Sequence, residues 1–109
     1  MGLAQQKYNQ ITSVGPDKNY IPSDYSLSQN YPNPFNPSTK FSYQIPKSGQ
    51  VTLKVFNTLG KEVATLVNGE RSAGRYIVDF NGQGLSSGIY FYTIQSGSFF
   101  ETRKMMLLK

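Results

Sequence analysis

The chain has 109 residues, enough for one small domain with a tail but not for two domains. It contains no cysteine and no histidine, which excludes disulfides, thiol nucleophiles and the usual transition-metal ligands. An enzyme would have to work through carboxylates alone, so we expect no catalytic activity and no cofactor. Eight tyrosines, seven phenylalanines, ten glycines and six prolines favour strands and tight turns, which predicts an all-β fold.

The formal charge of +5 comes from eleven Lys and Arg against six Asp and Glu. The cations are spread singly along the chain, and only Arg103 and Lys104 are adjacent. Such spacing is typical of solvated faces and guarded sheet edges, whereas a nucleic-acid interface needs a basic patch. We therefore expect no nucleic-acid partner.

No stretch approaches the roughly 18 apolar residues of a membrane helix, so we expect no transmembrane segment. Residues 1–4 offer neither the basic nor the apolar region of a signal peptide. If the protein is exported, we expect its signal to have been removed or the chain to be a fragment.

Residues 1–26 are polar, contain Gly15-Pro16 and Ile21-Pro22, and show no useful periodicity. This composition predicts a flexible linker or N-terminal arm, with an extra edge strand near residues 10–14 as the alternative. Residues 27–109 would then form the folded domain.

Residues 30–37 read Asn-Tyr-Pro-Asn-Pro-Phe-Asn-Pro and are called the proline motif below. Each proline fixes its own φ and pushes the preceding residue into extended geometry. The motif should therefore be a stiff lead-in to the domain and cannot be a central strand. We expect Tyr31 and Phe35 to be its buried anchors.

Alternating apolar and polar residues, β-prone stretches and the turns between them predict six strands after the motif. They cover residues 39–45, 50–56, 61–67, 75–80, 88–95 and 98–108. Residues 57–60 have turn chemistry, whereas Asn68-Gly69 and Gly74 are expected to bracket a loop. Residues 88–95 are apolar on both faces, which indicates a central strand. Short, evenly spaced strands describe an antiparallel sandwich, although a small barrel remains an alternative and residues 59–67 could form a helix in isolation.

Asp79 and Glu101 are the acids of the later predicted strands, and we expect them to be solvated or paired with Arg75 or Arg103. Residues 79–84 faintly resemble a calcium loop, but Tyr90 occupies the twelfth position where a bidentate Glu belongs. A turn between strands is the preferred interpretation. Tyr90 and Tyr92 alternate with Ile94 as core residues do, which favours burial over a sugar-stacking face.

Four segments together resemble the C-terminal sorting domain of the type IX secretion system. They are residues 29–39 (QNYPNPFNPST), 51–56 with 59–63 (VTLKVF and LGKEV), 87–92 (SGIYFY) and 104–109 (KMMLLK). The resemblance implies a small immunoglobulin-like sandwich of six to seven strands, similar in fold to a domain of flagellar hook-capping proteins. It also implies a recognition role for two sets of residues. The sorting signal would comprise Gly88, Tyr90, Lys104, Met105, Met106, Leu107, Leu108 and Lys109, and the entry motif at the start of the domain would contribute Tyr31, Pro32, Asn33, Pro34 and Phe35.

Domains of this family follow a cargo protein that has reached the periplasm. The secretion machinery recognises them, and a surface peptidase commonly removes them as the cargo is attached to cell-surface polysaccharide. The resemblance therefore implies these two partners and a cell-surface or extracellular destination.

Two other functions remain open. No cargo-sized domain lies in these 109 residues, so the chain could be a structural subunit that self-assembles when its N-terminal arm adds a strand to a neighbour. A carbohydrate-binding module is the weaker alternative.

Overall fold

The computed structural model describes residues 21–109. The alternative edge strand near residues 10–14 and most of the expected arm lie outside these residues. No segment of residues 21–109 is helical; the described part is built from strands and turns.

Within residues 21–109, seven strands form two antiparallel sheets. In chain order they are β1 (Ser26–Leu27), β2 (Ser38–Ile45), β3 (Gly49–Phe56), β4 (Glu62–Arg71), β5 (Gly74–Asn81), β6 (Gly88–Ser96) and β7 (Phe99–Leu107). One sheet has the order β1-β2-β5 and the other β4-β3-β6-β7. The expected all-β sandwich is confirmed, and β6 is central because β3 and β7 pair with its two edges.

The core lies between the sheets and follows the predicted alternation. In β3, Val51, Leu53 and Val55 are fully buried while their neighbours along the strand are partly exposed. Both sheets contribute aromatic residues, and Phe41 of β2 lies 4.2 Å from Tyr92 of β6 between ring centroids. These contacts join the two sheets through one continuous apolar cluster.

The predicted turn at residues 57–60 is confirmed. Asn57 accepts hydrogen bonds through its side-chain Oδ1 from the backbone N–H groups of Leu59 and Lys61, both at 2.9 Å. Gly60 has a φ of 83°, a conformation that favours glycine. Local side-chain chemistry therefore sets the β3–β4 connection.

The loop predicted around Asn68-Gly69 is wrong. Asn68 and Gly69 lie inside β4 and pair with Thr52 and Val51 of β3. Cross-strand hydrogen bonding therefore overrides their local turn preference, and β4 continues to Arg71. Register shifts along β3 accommodate the length of β4.

The two sides of the sandwich differ. On one side, β1 and β7 are the outermost strands, and the Tyr25 ring stacks on Phe99 with 5.0 Å between centroids. On the other side, β4 and β5 are outermost and line a cleft of about 340 Å³. The predicted signal residues 104–109 lie on the first side.

Candidate recognition site

The proline motif lies beside the end of β7. Phe35 N–H donates to the Met106 carbonyl at 2.9 Å, and Leu108 N–H donates to the Phe35 carbonyl at 3.0 Å. These bonds make Phe35 a parallel bridge partner of Leu107. The motif thereby occupies the hydrogen-bonding edge of β7 at its C-terminal end, the edge that another strand would otherwise use.

Side chains extend this contact along β7. Asn33 Oδ1 accepts a hydrogen bond from Met106 N–H at 3.0 Å, so both backbone groups of Met106 are satisfied by the motif. Gln29 Nε2 donates to the Lys104 carbonyl at 2.7 Å. Arg103 Nε reaches back to the Leu27 carbonyl at 2.6 Å. Residues 27–35 therefore run parallel to β7 and are bonded to it at several positions.

Phe35 anchors the motif in the core. Its side chain is 1% exposed, and its ring meets Phe80 edge-on at 6.0 Å. Gly82 leaves room for this packing, because a Cβ there would lie 3.1 Å from Leu107 Cδ2 and 3.2 Å from Phe35 Cε2. The expected burial of Phe35 is confirmed.

The expected burial of Tyr31 is wrong, because its side chain is 81% exposed. The buried residue is its neighbour Asn30, whose Nδ2 donates to the Pro32 carbonyl and to Thr39 Oγ1, both at 3.1 Å. Tyr31 contributes its backbone instead, which exchanges two hydrogen bonds with Lys40. Successive residues of an extended chain point in opposite directions, so burying Asn30 turns Tyr31 outward.

The predicted signal residues fall into two groups. Met105 and Leu107 are fully buried, whereas Lys104, Met106, Leu108 and Lys109 are exposed. The buried pair fixes the strand in the core, and the alternate residues face solvent. The chain end is also held, since Lys109 N–H donates to Ser87 Oγ at 3.0 Å.

Gly88 and Tyr90 support β7 from the adjacent strand. Gly88 begins β6 opposite Leu107 with a φ of 150°, and Tyr90 pairs with Met105. Tyr90 is buried, and its hydroxyl donates to the Ser86 carbonyl at 2.7 Å. Both residues therefore lie on the strand next to residues 104–109, Tyr90 with its ring buried and Gly88 partly buried.

Tyr92 ties the same region to the first sheet. It is fully buried, and its hydroxyl donates to the Ser28 carbonyl at 2.7 Å. Burial raises the pKa of Tyr92 to about 12, against a smaller opposing effect of hydrogen bonding with the Asn30 backbone. The hydroxyl therefore stays protonated and serves as a donor at neutral pH.

Asp79 and Glu101, the acids of the later strands, each form an ion pair at the surface. Glu101 pairs with Arg103 at 3.1 Å as expected, but Asp79 pairs with Lys40 at 2.6 Å and not with Arg75. The reason is register, because Lys40 of β2 lies directly opposite Asp79 of β5. Exposed pairs of this kind contribute little stability.

The segment that resembles a calcium loop is a turn. Asn81 Oδ1 accepts a hydrogen bond from Gln83 N–H at 2.8 Å, which is the geometry of an Asx turn. Within residues 21–109, no group of three or more acids is placed to hold a metal ion. The loop thus connects β5 to β6 and brings Gly82 under Phe35 and Leu107.

The cleft between β4 and β5 contains two stacked tyrosines, Tyr43 and Tyr76, whose ring centroids are 5.1 Å apart. Burial raises the pKa of Tyr43 to about 12, although the neighbouring Arg71 guanidinium acts in the opposite direction. Burial also raises the pKa of Tyr76, whose hydroxyl donates to the Ser72 carbonyl at 2.7 Å. None of the predicted signal residues lies here.

The sandwich holds residues 104–109 at the end of β7 with alternate side chains exposed, which is an arrangement that a partner protein can contact. The chain belongs to the secretion system C-terminal sorting domain family, whose model matches residues 29–108. The resemblance noted in the sequence is thereby confirmed, and with it the type IX secretion sorting signal. No curated protein and no solved structure matches the chain.

Membership implies an interaction with the secretion machinery and export toward the cell surface or the extracellular space. The family is not known for catalysis. In the part of the chain that the structure describes, no helix is long and apolar enough to span a bilayer.

Proposed function

We propose that residues 104–109 are the part of this domain that the secretion machinery contacts. On this proposal the domain carries a cargo protein from the periplasm to the cell surface. A surface peptidase then removes the domain as the cargo is attached to surface polysaccharide. Gly88, Tyr90 and the proline motif residues Tyr31, Pro32, Asn33, Pro34 and Phe35 act as support for this segment.

The observation that carries the proposal is the alternation of exposure along residues 104–109. A partner can contact only what is exposed, and Lys104, Met106, Leu108 and Lys109 offer two cations and two apolar side chains. The proline motif fixes the backbone of this segment through Met106 and Leu108. A segment that is already ordered loses less conformational entropy on binding.

The proposal is tested with a periplasm-targeted reporter fused ahead of the 109-residue chain, in a bacterium that has type IX secretion. Deleting residues 104–109 should trap the reporter in the periplasm. Because the deletion also removes the buried Met105 and Leu107, a second variant is needed that spares the core. Leu108→Ser with Lys109→Ser changes only exposed residues beyond β7 and should also reduce surface delivery.

Leu59→Ser with Lys61→Ser is the matched control, because it also removes one exposed Leu and one exposed Lys, here at the β3–β4 turn. This control should be delivered like the parent. Normal surface delivery of the Leu108→Ser, Lys109→Ser variant would contradict the assignment of residues 104–109.

The peptidase step is tested with epitope tags on the reporter and inside the domain. Surface-attached reporter should retain the first tag and lack the second. A surface population that keeps both tags at full length would contradict removal of the domain.

A second candidate function is self-assembly by strand addition, which is favoured by the outer edges of β4 and β5, where no strand of residues 21–109 pairs. The cleft between them could take apolar side chains from an added strand, and the N-terminal arm, residues 1–26, is the proposed donor through the part that precedes β1. Size-exclusion chromatography with and without residues 1–22 tests it. A monomer in both forms rules this function out, whereas oligomers that need residues 1–22 support it.

A further inference from the structure

Four apolar side chains lie on the outer face of the four-stranded sheet, beside residues 104–109. They are Phe56 of β3, Ile89 and Phe91 of β6, and Met106 of β7, and they are called the outer patch below. Their neighbours along each strand, such as Val55, Tyr90 and Met105, point into the core and are buried. The alternation of β-strands therefore places the four on the opposite face.

Strand register makes the outer patch continuous. Phe56 lies opposite Phe91, and Phe91 lies opposite Lys104 on its other side. Ile89 lies opposite Met106 one step further along the sheet. Directly opposed side chains in a sheet are close enough to touch, so the patch crosses three strands and ends at the signal segment.

The core does not account for these residues. None of the four belongs to the buried cluster between the sheets, and none is among the partly buried residues that pack against it. Phe56, Ile89 and Phe91 are half-buried, and Met106 is 37% exposed. A contiguous apolar patch on an outer face is a mark of an interaction site.

Charge indicates the kind of partner. On the β3 side of the patch, Lys54 is paired with Glu62 at 3.3 Å. On the β7 side, Lys104 is exposed and forms no ion pair with any acid of residues 21–109. Lys109 adds a second exposed cation in the same segment. An apolar centre with a positive rim fits a protein surface that has apolar side chains bordered by carboxylates.

We propose that the surface read by the secretion machinery extends from residues 104–109 across β6 to β3. Its partner is a protein surface with an apolar centre and carboxylates on the side that meets Lys104. This inference rests on the proposed function and adds Phe56, Ile89 and Phe91 to the recognised residues. Because these residues come from three strands, recognition requires the folded sandwich and not the last residues alone.

The test uses the same reporter fused to the whole 109-residue chain. Phe56→Thr with Phe91→Thr removes both rings. Threonine is a strand-forming residue, and Thr93 already occupies the same outer face of β6, so the substitutions suit the sheet. We expect surface delivery to fall about tenfold, as for the loss of central aromatic contacts in an interface. The purified double variant should retain the far-UV circular dichroism of the parent, and Phe91→Thr alone serves if the double variant does not fold.

Phe100→Thr is the matched control for the rings. Phe100 is 65% exposed and lies on the outer face of β7, but opposite Gln95 at the far end of the sheet. Its variant should be delivered normally. Lys104→Glu should lower delivery because it places an anion against the partner's carboxylates, whereas Lys47→Glu, in the exposed β2–β3 turn, should not.

The outcomes separate this inference from the proposed function. If Phe56→Thr with Phe91→Thr is delivered normally while Leu108→Ser with Lys109→Ser is trapped, the outer patch is overturned and the signal segment stands. If both are delivered normally, the proposed function itself fails. Normal delivery of Lys104→Glu overturns the acidic partner. A further outcome is that the parent is a dimer, that the Phe56→Thr, Phe91→Thr variant is a monomer, and that both are delivered equally well. This outcome would assign the outer patch to self-association and overturn the inference.

Discussion

Asn33 is the side chain that completes the backbone bonding of Met106, since its Oδ1 accepts the Met106 N–H at 3.0 Å. Asn33→Ala removes that acceptor and leaves the amide to water. Because the site is exposed, we expect a loss of only about 1 kcal/mol in the free energy of unfolding. The Met106 amide should exchange its hydrogen with solvent faster than in the parent, which NMR-detected hydrogen exchange would measure.

Asn68→Ala is the control for this prediction. Asn68 is also exposed, and its side-chain Oδ1 accepts a hydrogen bond from Gln50 Nε2 at 3.0 Å, with no backbone N–H of residues 21–109 as a further donor. This variant should leave the protection of the Met106 amide unchanged. Equal acceleration of Met106 exchange in both variants would show that the Asn33 bond does not hold the strand.

At the same scale, sequence reasoning predicts Phe35 correctly and Tyr31 incorrectly. Large apolar rings are usually buried, so the burial of Phe35 can be predicted without knowing which distant residues it contacts. Asn30 is buried because Thr39 Oγ1 and the Pro32 carbonyl meet its amide. Thr39 lies nine positions away, and no local pattern indicates that the two side chains will meet.

At the scale of elements, the proline motif and β7 act as a pair joined by backbone bonds and by the Phe35 ring. Phe35→Ala removes a ring that is 1% exposed and should cost about 3–5 kcal/mol. That is a large part of the roughly 5–15 kcal/mol typical of a domain. Urea unfolding followed by circular dichroism measures the loss, and Phe35→Leu should lie between parent and alanine variant.

Tyr31→Ala is the control in the same motif. Its ring is 81% exposed and its hydrogen bonds to Lys40 use the backbone, so we expect a change within about 0.5 kcal/mol. A loss as large as that of Phe35→Ala would mean that the motif is held by Tyr31 and not by Phe35.

The elements that sequence reasoning predicts are those with a local signal. Alternation is visible in β2, β3 and β5 because one face of each strand is buried, whereas β6 and β7 are predicted from strand-forming apolar residues between turns. The two-residue strand β1 has no period to detect, and the parallel bridge of Phe35 with Leu107 joins residues far apart in the chain. The outer patch was missed for the same reason. Phe56 and Phe91 are neighbours only through strand register, which the sequence does not specify by itself.

At the scale of the whole molecule, the sandwich has one side closed by the proline motif, and within residues 21–109 no strand pairs with the outer edges of β4 and β5 on the other side. The closed side carries residues 104–109, the proposed signal segment, and adjoins the outer patch, whereas β4 and β5 flank the cleft. The two proposed functions use opposite sides. One set of variants therefore separates the two functions. Leu108→Ser with Lys109→Ser should reduce surface delivery but not assembly, and removal of residues 1–22 should reduce assembly but not delivery.

Tyrosines in both sheets predict how the stability of the whole molecule depends on pH. Tyr43 of β2 and Tyr92 of β6 each have a pKa raised by burial from 10 to about 12. Below pH 10 both hydroxyls are protonated in the folded and the unfolded chain, so their contribution is fully present. As pH rises from 10 to 12, the unfolded chain loses these protons first and is favoured.

The free energy of unfolding should therefore be nearly constant up to pH 10 and then fall by about 2–3 kcal/mol for each tyrosine by pH 12. Tyr92→Phe should cost about 1 kcal/mol at neutral pH, because it removes the hydrogen bond to the Ser28 carbonyl. Above pH 10 the variant should lose less stability than the parent, since one buried hydroxyl no longer titrates. The chain has no tryptophan, so urea unfolding followed by far-UV circular dichroism is the suitable measurement. Parallel pH profiles for parent and Tyr92→Phe would contradict the assignment of the alkaline loss to Tyr92.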